Sequence, residues 1–412
     1  MTASLFHSVE LAPKDPILGM TEAFNADDRP FKINLGVGVY TDADGRVPVL
    51  SAVREAESMR ITKALARSYL PIDGIALYNQ LAQKLLFGEN AQVLADGRVV
   101  TVQALGGTGA LKVGADFLRQ LTPQAEVLIS DPSWENHLAL FTQAGFRVQG
   151  YPYYDAATKG IDFEGMVGAL EAARPGTVVV LHACCHNPTG ADPDRDQWAR
   201  IIDIVAERGL MPFLDIAYQG FADGVEADAA VVRAFADAGL EFLVASSFSK
   251  SFSLYGERVG ALSIVTADKA ESTRVLSQLK RVIRTNYSSP PTHGGATVTV
   301  VLSDPKLRAS WEEELGGMRD RIRAMRVGLV ARLKQRMPTV SFDHITRQRG
   351  MFSYSGLTPE QVARLRDEYA IYALNTGRMC VAALNEHNID TVADAIATVT
   401  QPRVDALSTA SL

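Results

Sequence analysis

The chain has 412 residues, of which 47% are hydrophobic and 21% are charged, and its formal net charge is -6. A chain of this length is longer than one hydrophobic core usually accommodates, which predicts a large domain together with a smaller one. The composition is that of a soluble globular enzyme and excludes a disordered chain. The acidic balance argues against nucleic acid as a partner, because neutralising phosphates requires a basic face.

Cysteine usage and the first residues bear on the compartment. Only Cys184, Cys185 and Cys380 occur, and two of them are adjacent, which argues against a disulfide framework and fits a reducing compartment. The chain start lacks a basic region followed by an apolar one, and no apolar run approaches membrane-spanning length. These features predict a cytoplasmic protein with no membrane partner.

The N-terminal part begins with an irregular segment. Residues 1–14 have no clear period and predict an extended arm that could lie across a neighbour in an oligomer. The run Ile33 to Tyr40 looks like a strand interrupted by Gly36 and Gly38. A glycine inside a strand indicates either a bulge or the close approach of a ligand. We favour the ligand and keep the bulge as the alternative.

From Val99 onward, short apolar runs alternate with helical patterns. This alternation is typical of an α/β fold with a large, mostly parallel sheet. The predicted strands are Val99–Val102, Val127–Ile129, Val178–Leu181, Met211–Leu214, Phe242–Ala245 and Gly260–Val265.

Polar clusters follow five of these runs. They are Gly106–Gly109, Asp131–Trp134, His186–Gly190, Asp215–Tyr218 and Ser246–Phe252. Ligands of open α/β sheets bind at the carboxyl ends of the strands, so we expect these clusters to converge on one site.

The last quarter of the chain is mainly helical at first. Apolar residues recur at spacings of three and four, which predicts one buried helix face: Met318, Ile322, Met325, Leu329 and Leu333. The intervening arginines are predicted to form a solvated face: Arg319, Arg321, Arg323 and Arg326. A smaller α+β unit follows. The predicted division is an arm at 1–14, a small domain at 15–48 and 315–400, a large cofactor-binding domain at 49–314, and a tail at 401–412.

Lys250 is the candidate catalytic residue. It follows a predicted buried strand and is surrounded by small hydroxyl residues. Most lysines are exposed, and an ordinary surface lysine is the alternative. Inside a protein, however, desolvation favours the neutral amine, which is the form that reacts with carbonyl groups to give a Schiff base.

The glycines of Gly106–Gly109 precede a helical pattern. Free backbone N–H groups at a helix N-terminus bind phosphate, although a simple turn would have the same sequence. Ser247, Ser249 and Arg258 add hydroxyl and guanidinium donors that could serve the same phosphate.

Asp215 ends an apolar run, where a buried carboxylate needs a partner. A helix cap is one interpretation, and a protonated pyridine nitrogen is another. Tyr218 and Asn187 could bond the phenolic oxygen of the same ring, and Trp134 could stack on it. Together with Lys250 and the phosphate site, these residues predict pyridoxal 5'-phosphate as the cofactor.

Other chemistries have weaker support. His182, Cys184, Cys185 and His186 cluster in sequence but lack two spaced ligand pairs, so no metal site is predicted. A serine hydrolase would need a Gly-x-Ser-x-Gly elbow. A nicotinamide enzyme would need a third glycine where Thr41 stands.

Four motifs resemble the class I aminotransferases of the aspartate aminotransferase group. They are Ser247–Lys250, Cys184–Gly190, Asp215–Gly220 and Asn286–Pro291, and the resemblance extends from about Pro16 to Val399. Within that group the chain is most similar to the bacterial aromatic-amino-acid (tyrosine) aminotransferases, through Phe248–Arg258 and Gly377–Ala382.

The resemblance implies a role for each matching position. Lys250 would hold the cofactor covalently and then move the proton of the substrate α-carbon, while Asp215 and Tyr218 complete the catalytic set. The cofactor-binding set would be Gly107, Thr108, Trp134, Asn187, Asp215, Tyr218, Ser247, Ser249, Lys250, Arg258 and the partner-directed Tyr69. The substrate-binding set would be Gly38, Trp134, Asn187, Arg284 and Arg378, with Arg378 on the α-carboxylate.

The resemblance also implies a homodimer with shared active sites. Tyr69 would reach the phosphate of the other subunit, and Arg284 would pair a distal carboxylate there or move aside for an aromatic ring. The implied reaction is a ping-pong transfer of the amino group from an amino acid to a 2-oxo acid, typically 2-oxoglutarate.

The residues that match the substrate pocket of the family do not indicate a single substrate preference. Thr108 is typical of aspartate-preferring relatives and Ser289 of aromatic-preferring ones, while Thr41, Val47 and Ser68 match neither set. We therefore predict activity with tyrosine, phenylalanine and aspartate. The alternatives are an aspartate aminotransferase with little aromatic activity and, less favoured because Lys250 is present, a non-catalytic regulator with the same fold.

Overall fold

The computed structural model describes residues 4–12, 17–64, 66 and 68–401. Of the predicted arm, Leu5–Ser8 form a short 3-10 helix, and the side chain of Leu11 is 99% exposed. The predicted tail lies outside the described residues beyond Gln401.

The described residues contain thirteen strands. In chain order they are β1 Ile33–Asn34, β2 Val99–Leu105, β3 Glu126–Asp131, β4 Arg147–Pro152, β5 Tyr154–Asp155, β6 Gly160–Ile161, β7 Val178–His182, β8 Met211–Ile216, β9 Phe242–Ser247, β10 Val259–Val265, β11 Phe352–Tyr354, β12 Ile371–Tyr372 and β13 Arg378–Cys380. Each of the six apolar runs from Val99 onward is a strand, as predicted.

Seven strands form the main sheet, in the order β2-β10-β9-β8-β7-β3-β4. The pairs from β9 to β4 are parallel, and β10 runs antiparallel to both of its neighbours. The predicted α/β class with a mostly parallel sheet is therefore confirmed. The reversed β10 has a consequence for the site: its first residue, rather than its last, lies at the carboxyl edge of the other strands.

Both faces of the sheet are apolar, as expected for strands covered by helices on each side. Val178 and Val180 of β7 point into one core, while Val179 and Leu181 point into the other. This alternation follows from the two-residue period of a strand. It explains why the strands read as continuous apolar runs.

Helices cover the sheet and build the smaller unit. In chain order they are α1 Leu18–Ala26, α2 Ser51–Lys63, α3 Ala76–Phe87, α4 Gln92–Ala95, α5 Gly106–Leu121, α6 Glu135–Gln143, α7 Phe163–Ala172, α8 Arg195–Arg208, α9 Val225–Asp228, α10 Ala230–Asp237, α11 Lys269–Asn286, α12 His293–Ser303, α13 Pro305–Arg336, α14 His344–Arg347, α15 Pro359–Tyr369 and α16 Ile389–Thr400. Among the described residues, no helix is long and apolar enough to cross a membrane.

The long helix α13 joins two hydrophobic cores. Its residues up to Ile322 pack with the large sheet, and those from Met325 onward pack with α15, α16 and Leu35. The apolar stripe predicted for this helix is buried. The division of the chain into two domains remains a prediction, and this helix would be the connection between them.

Two local expectations were wrong, and one strand was missed. The strand predicted at Ile33 to Tyr40 is only the two-residue β1, which pairs with β12. The edge strand β4 was not predicted. Arg326 was expected on a solvated face, yet it is 2% exposed, because its guanidinium is enclosed by backbone carbonyl groups of residues 345–352.

Candidate active site

A cavity of about 170 Å³ lies at the carboxyl edge of the main sheet. It is lined by residues from all five polar clusters, which therefore converge as predicted. The predicted site residues that line it are Gly38, Gly107, Thr108, Trp134, Asn187, Asp215, Tyr218, Ser247, Ser249, Lys250, Arg258 and Arg378.

Lys250 follows β9 directly and is partly buried in this cavity. Burial lowers the pKa of its amine to about 8, with Arg258 and Arg378 acting in the same direction and Asp215 against them. The Nζ atom lies 5.1 Å from the centre of the Tyr218 ring. Within the described chain the amine makes no hydrogen bond, so it is available to react.

Asp215 lies on β8 and is 4% exposed. Its Oδ2 accepts a hydrogen bond from His137 Nε2 at 3.0 Å, and His137 Nδ1 lies 2.9 Å from Ser133 Oγ. Burial alone would raise the pKa of this carboxyl, but the hydrogen bond and the neighbouring positive groups lower it overall. Asp215 is therefore an anion that faces the cavity.

The helix α5 begins at Gly106 with no side chain capping its N-terminus. Gly106 has a φ of +67°, and a Cβ at this position would lie 2.7 Å from Arg258 Nη2. The Arg258 Nη1 atom is 3.4 Å from Ser249 Oγ. Because β10 is antiparallel, Arg258 reaches the same edge as Ser247. Uncapped N–H groups, hydroxyls and a guanidinium thus form an anion-binding cradle.

Arg378 begins β13 and is 1% exposed. It donates to Asn187 Oδ1 at 3.0 Å and to the Gly36 carbonyl at 2.7 Å. Its Nε atom is buried and has no hydrogen-bond partner among the described residues. Its guanidinium carbon also lies 4.2 Å from the centre of the Phe352 ring. A buried arginine with an unused donor in a cavity is suited to a carboxylate ligand.

Two predicted residues lie elsewhere. Tyr69 is 94% exposed, and with Arg284 it lines a separate cavity of about 510 Å³. Arg284 donates to the Ser288 hydroxyl on the same helix end. Neither residue lines the cavity that contains Lys250.

The potential metal ligands separate into two groups in the described chain. His182 lies with His137 and Asp215, whereas Cys184 and Cys185 lie with Asp228. Burial lowers the pKa of His182 to about 3, so this imidazole is neutral at physiological pH.

The sequence analysis missed His137 and Phe352 as site residues. His137 is completely buried on α6, and a histidine among the apolar residues of that helix was the available signal. The sequence around Phe352 indicates only that this residue belongs to the smaller α+β unit. Its ring packs on Arg378, and a Cβ on Gly38 would lie 2.6 Å from its Cζ atom.

Comparison with known proteins decides the family. The family model described as aminotransferase class I and II matches residues 30–396. The chain belongs to this family.

Individual relatives of this aminotransferase have two different names. This chain is 62% identical to an aspartate aminotransferase from Pseudomonas aeruginosa, and the alignment covers 96% of this chain and all of the relative. It is 51% identical to the aromatic-amino-acid aminotransferase of Escherichia coli, with the same coverage. A crystal structure of an aromatic-amino-acid aminotransferase from Burkholderia pseudomallei, covalently bound to pyridoxal phosphate, has 66% identity and a TM-score of 0.95, over 97% of this chain and all of that chain.

Proposed function

We propose that this protein is a pyridoxal-phosphate-dependent transaminase that moves the amino group of tyrosine, phenylalanine and aspartate to 2-oxoglutarate. One observation carries the proposal: the reactive Lys250 amine shares a cavity with the anionic Asp215, an anion cradle and the buried Arg378. When bound, the cofactor supplies an electron sink for the substrate α-carbon.

The donor set fits this cofactor. The uncapped start of α5, with Gly107 and Thr108, would bind the phosphate together with Ser247, Ser249 and Arg258. Asp215 would hold the pyridine nitrogen in its protonated form. Asn187 and Tyr218 would donate to the phenolic oxygen, and Trp134 would cover the ring.

Lys250 has the properties of the proton carrier. Its amine would anchor the cofactor and then accept and return the proton of the substrate α-carbon. A pKa near 8 suits both directions, because neither protonation state is rare at neutral pH. His137 would keep Asp215 ionised and oriented by its hydrogen bond.

Arg378 would bind the α-carboxylate of the substrate. Its contacts with Asn187 and Gly36 leave Nε without a partner among the described residues. Gly38 would let the substrate approach the backbone closely. The neighbouring side chains exclude water, which strengthens the ion pair.

We also propose a homodimer with shared sites, located in the cytoplasm. The exposed Tyr69 and Arg284 would complete the cavity of the other subunit, at the phosphate and at the distal end of the substrate. Arg284 would pair the side-chain carboxylate of aspartate and leave room for a ring. The three free, buried cysteines fit a reducing compartment.

The names of the relatives divide between aspartate and aromatic substrates, which favours activity with both. An aspartate aminotransferase with little aromatic activity is the second candidate. The visible spectrum of the purified protein distinguishes them. We expect a yellow protein whose absorbance band is lost on addition of either tyrosine or aspartate.

A Lys250→Ala variant serves as the control and should show no turnover with either amino acid. Loss of the band with aspartate alone would support the second candidate. A protein that stays colourless after incubation with pyridoxal phosphate would contradict the proposed function.

A further inference from the structure

Arg326 is a buried cation in the middle of α13. It is 2% exposed, and no acidic side chain of the described chain forms an ion pair with it. Burying an arginine without a paired acid is costly. Such a residue needs an explanation beyond filling the space between the two cores.

The guanidinium of Arg326 binds one loop. It donates to the carbonyl oxygens of Ile345 at 3.1 Å, Gly350 at 2.8 Å and Phe352 at 2.5 Å, and also to the Ser353 hydroxyl. A single rigid group thus binds residues 345–353 through three backbone carbonyl groups and one side-chain hydroxyl. Lysine could not replace this set, because its three donors lack the planar fork.

This loop supports Arg378 from one side. The Phe352 ring lies against the Arg378 guanidinium, and β11 pairs with β13 so that Phe352 is opposite Cys380. The ring also contacts Gly38 and lies 5.8 Å from the Tyr218 ring. The position of Phe352 therefore sets the space available around the carboxylate-binding arginine.

The same loop supports Asn187 from the other side. Arg349 N–H donates to the Gly190 carbonyl at 2.7 Å, and a Cβ on Gly350 would lie 2.5 Å from Cys185 Cβ. The turn containing Asn187 is thus packed against the loop. Asn187 in turn accepts the hydrogen bond from Arg378.

We propose that Arg326 is a positioning residue for substrate recognition: by holding residues 345–353 it orients Phe352 and the Asn187 turn, and through them the Arg378 guanidinium that binds the substrate carboxylate. This inference rests on the proposed function of Arg378. If it is correct, a substitution of Arg326 will weaken the binding of ligands that have a carboxylate and leave other ligands unaffected. A substitution that only destabilises the fold would weaken the binding of all ligands and lower the unfolding temperature.

The test uses the purified, cofactor-loaded protein and two variants of Arg326, Arg326→Gln and Arg326→Lys. Arg332→Gln is the matched control, since Arg332 lies on the same helix and pairs with Asp390 at the surface. The first measurement is the calorimetric affinity for 3-phenylpropionate, which has the carboxylate and ring of phenylalanine without its amine. The second is the single-turnover rate with phenylalanine and with 2-phenylethylamine, which lacks the carboxylate.

We expect Arg326→Gln to weaken 3-phenylpropionate binding about tenfold or more and to slow the phenylalanine reaction by a similar factor. The rate with 2-phenylethylamine should stay within about twofold of wild type. Arg326→Lys should have an intermediate defect, and Arg332→Gln should behave as wild type. Equal losses with both amines, or unchanged carboxylate affinity, would overturn the inference.

A double-mutant cycle covers the case in which Arg326→Gln does not fold. Phe352→Leu, Arg326→Lys and the combined variant are compared in the same calorimetric assay. If Arg326 acts through Phe352, the combined loss is smaller than the sum of the single losses. Additive losses contradict the inference. A wild-type protein that binds the carboxylate but never takes up pyridoxal phosphate would contradict the proposed function alone.

Discussion

Burial disfavours the charged forms of both Lys250 and Asp215, but only Asp215 has a hydrogen bond in the described chain that offsets this effect. Desolvation lowers the pKa of Lys250, and no hydrogen bond in the described chain stabilises its cation. Asp215 is more deeply buried, yet the His137 hydrogen bond keeps its pKa low. At pH 7 the carboxylate is therefore ionised and about a tenth of the amine is neutral, so a base and an anchor for positive charge are both present.

This difference predicts the pH dependence of cofactor uptake. The neutral amine is the reactive form, so the rate at which the cofactor-free protein takes up pyridoxal phosphate should rise with pH, reach half its maximum near pH 8 and level off roughly one unit higher. Stopped-flow absorbance between pH 6 and 10 measures this rate. Lys250→Ala should show no such phase. A midpoint near 10, typical of an exposed lysine, would show that burial does not activate the amine.

At the scale of the elements, β10 lies directly against the start of α5. A Cβ on Gly260 of β10 would lie 2.4 Å from the Gly106 carbonyl carbon and 2.7 Å from the Ser246 carbonyl oxygen. These are backbone atoms of adjacent strands and of the anion cradle, so they cannot move aside without disturbing both. Because Gly260 has no side chain, the start of α5 packs directly against β10.

Gly260→Ala should therefore lower the free energy of unfolding by about 2 to 3 kcal/mol and weaken pyridoxal-phosphate binding. Gly168→Ala is the matched control, since a Cβ there meets nothing within 4 Å and the position is inside α7. In a helix this change should be neutral or stabilising by about 0.5 to 1 kcal/mol. Urea unfolding of both variants provides the comparison, and equal stabilities would refute the close-approach argument.

The sequence predicts helices and strands correctly where their burial produces a recognisable hydrophobic pattern. The six strands from Val99 onward were recognised because both faces of the sheet are covered. The edge strand β4, Arg147–Pro152, was missed because its residues are largely exposed and its sequence is polar. Arg326 has helical spacing to Ile322 and Leu333, so its burial could have been inferred. The sequence does not reveal which carbonyl groups would satisfy it, because they come from a short helix, a strand and the turn between them, none of which has a pattern that points to α13.

At the scale of the whole molecule, the cavity of one chain contains most of the site but not Tyr69 or Arg284. Such residues cannot be placed from one chain's hydrophobic pattern, and only the resemblance directed them to a partner. Their common location, beside Ser288 and away from Lys250, suits two copies related by a twofold axis.

The shared-site dimer predicts complementation between inactive variants. Lys250→Ala and Arg284→Ala each impair aspartate transamination, the first at the reacting atom and the second at the distal carboxylate. When the two are unfolded and refolded together, half of the dimers should be hybrids with one fully intact site. Aspartate activity should return to about a quarter of wild type.

Tyrosine activity of Arg284→Ala provides the internal control, because a ring needs no pairing charge and should be retained. If aspartate activity does not return although hybrids form, both residues act within the same chain. That outcome would contradict the proposed shared site but not the proposed transaminase function.

The contact between Arg378 and the Gly36 carbonyl joins residues that are 342 positions apart in the sequence. Because of this separation, the two residues are synthesised at different times. At about 5 to 20 residues per second, roughly 20 to 70 seconds pass between the appearance of the glycine and that of its arginine partner. The sheet and Lys250 leave the ribosome well before then. In a nascent chain, the residue proposed to react with the cofactor is therefore made before the residue proposed to bind the substrate carboxylate.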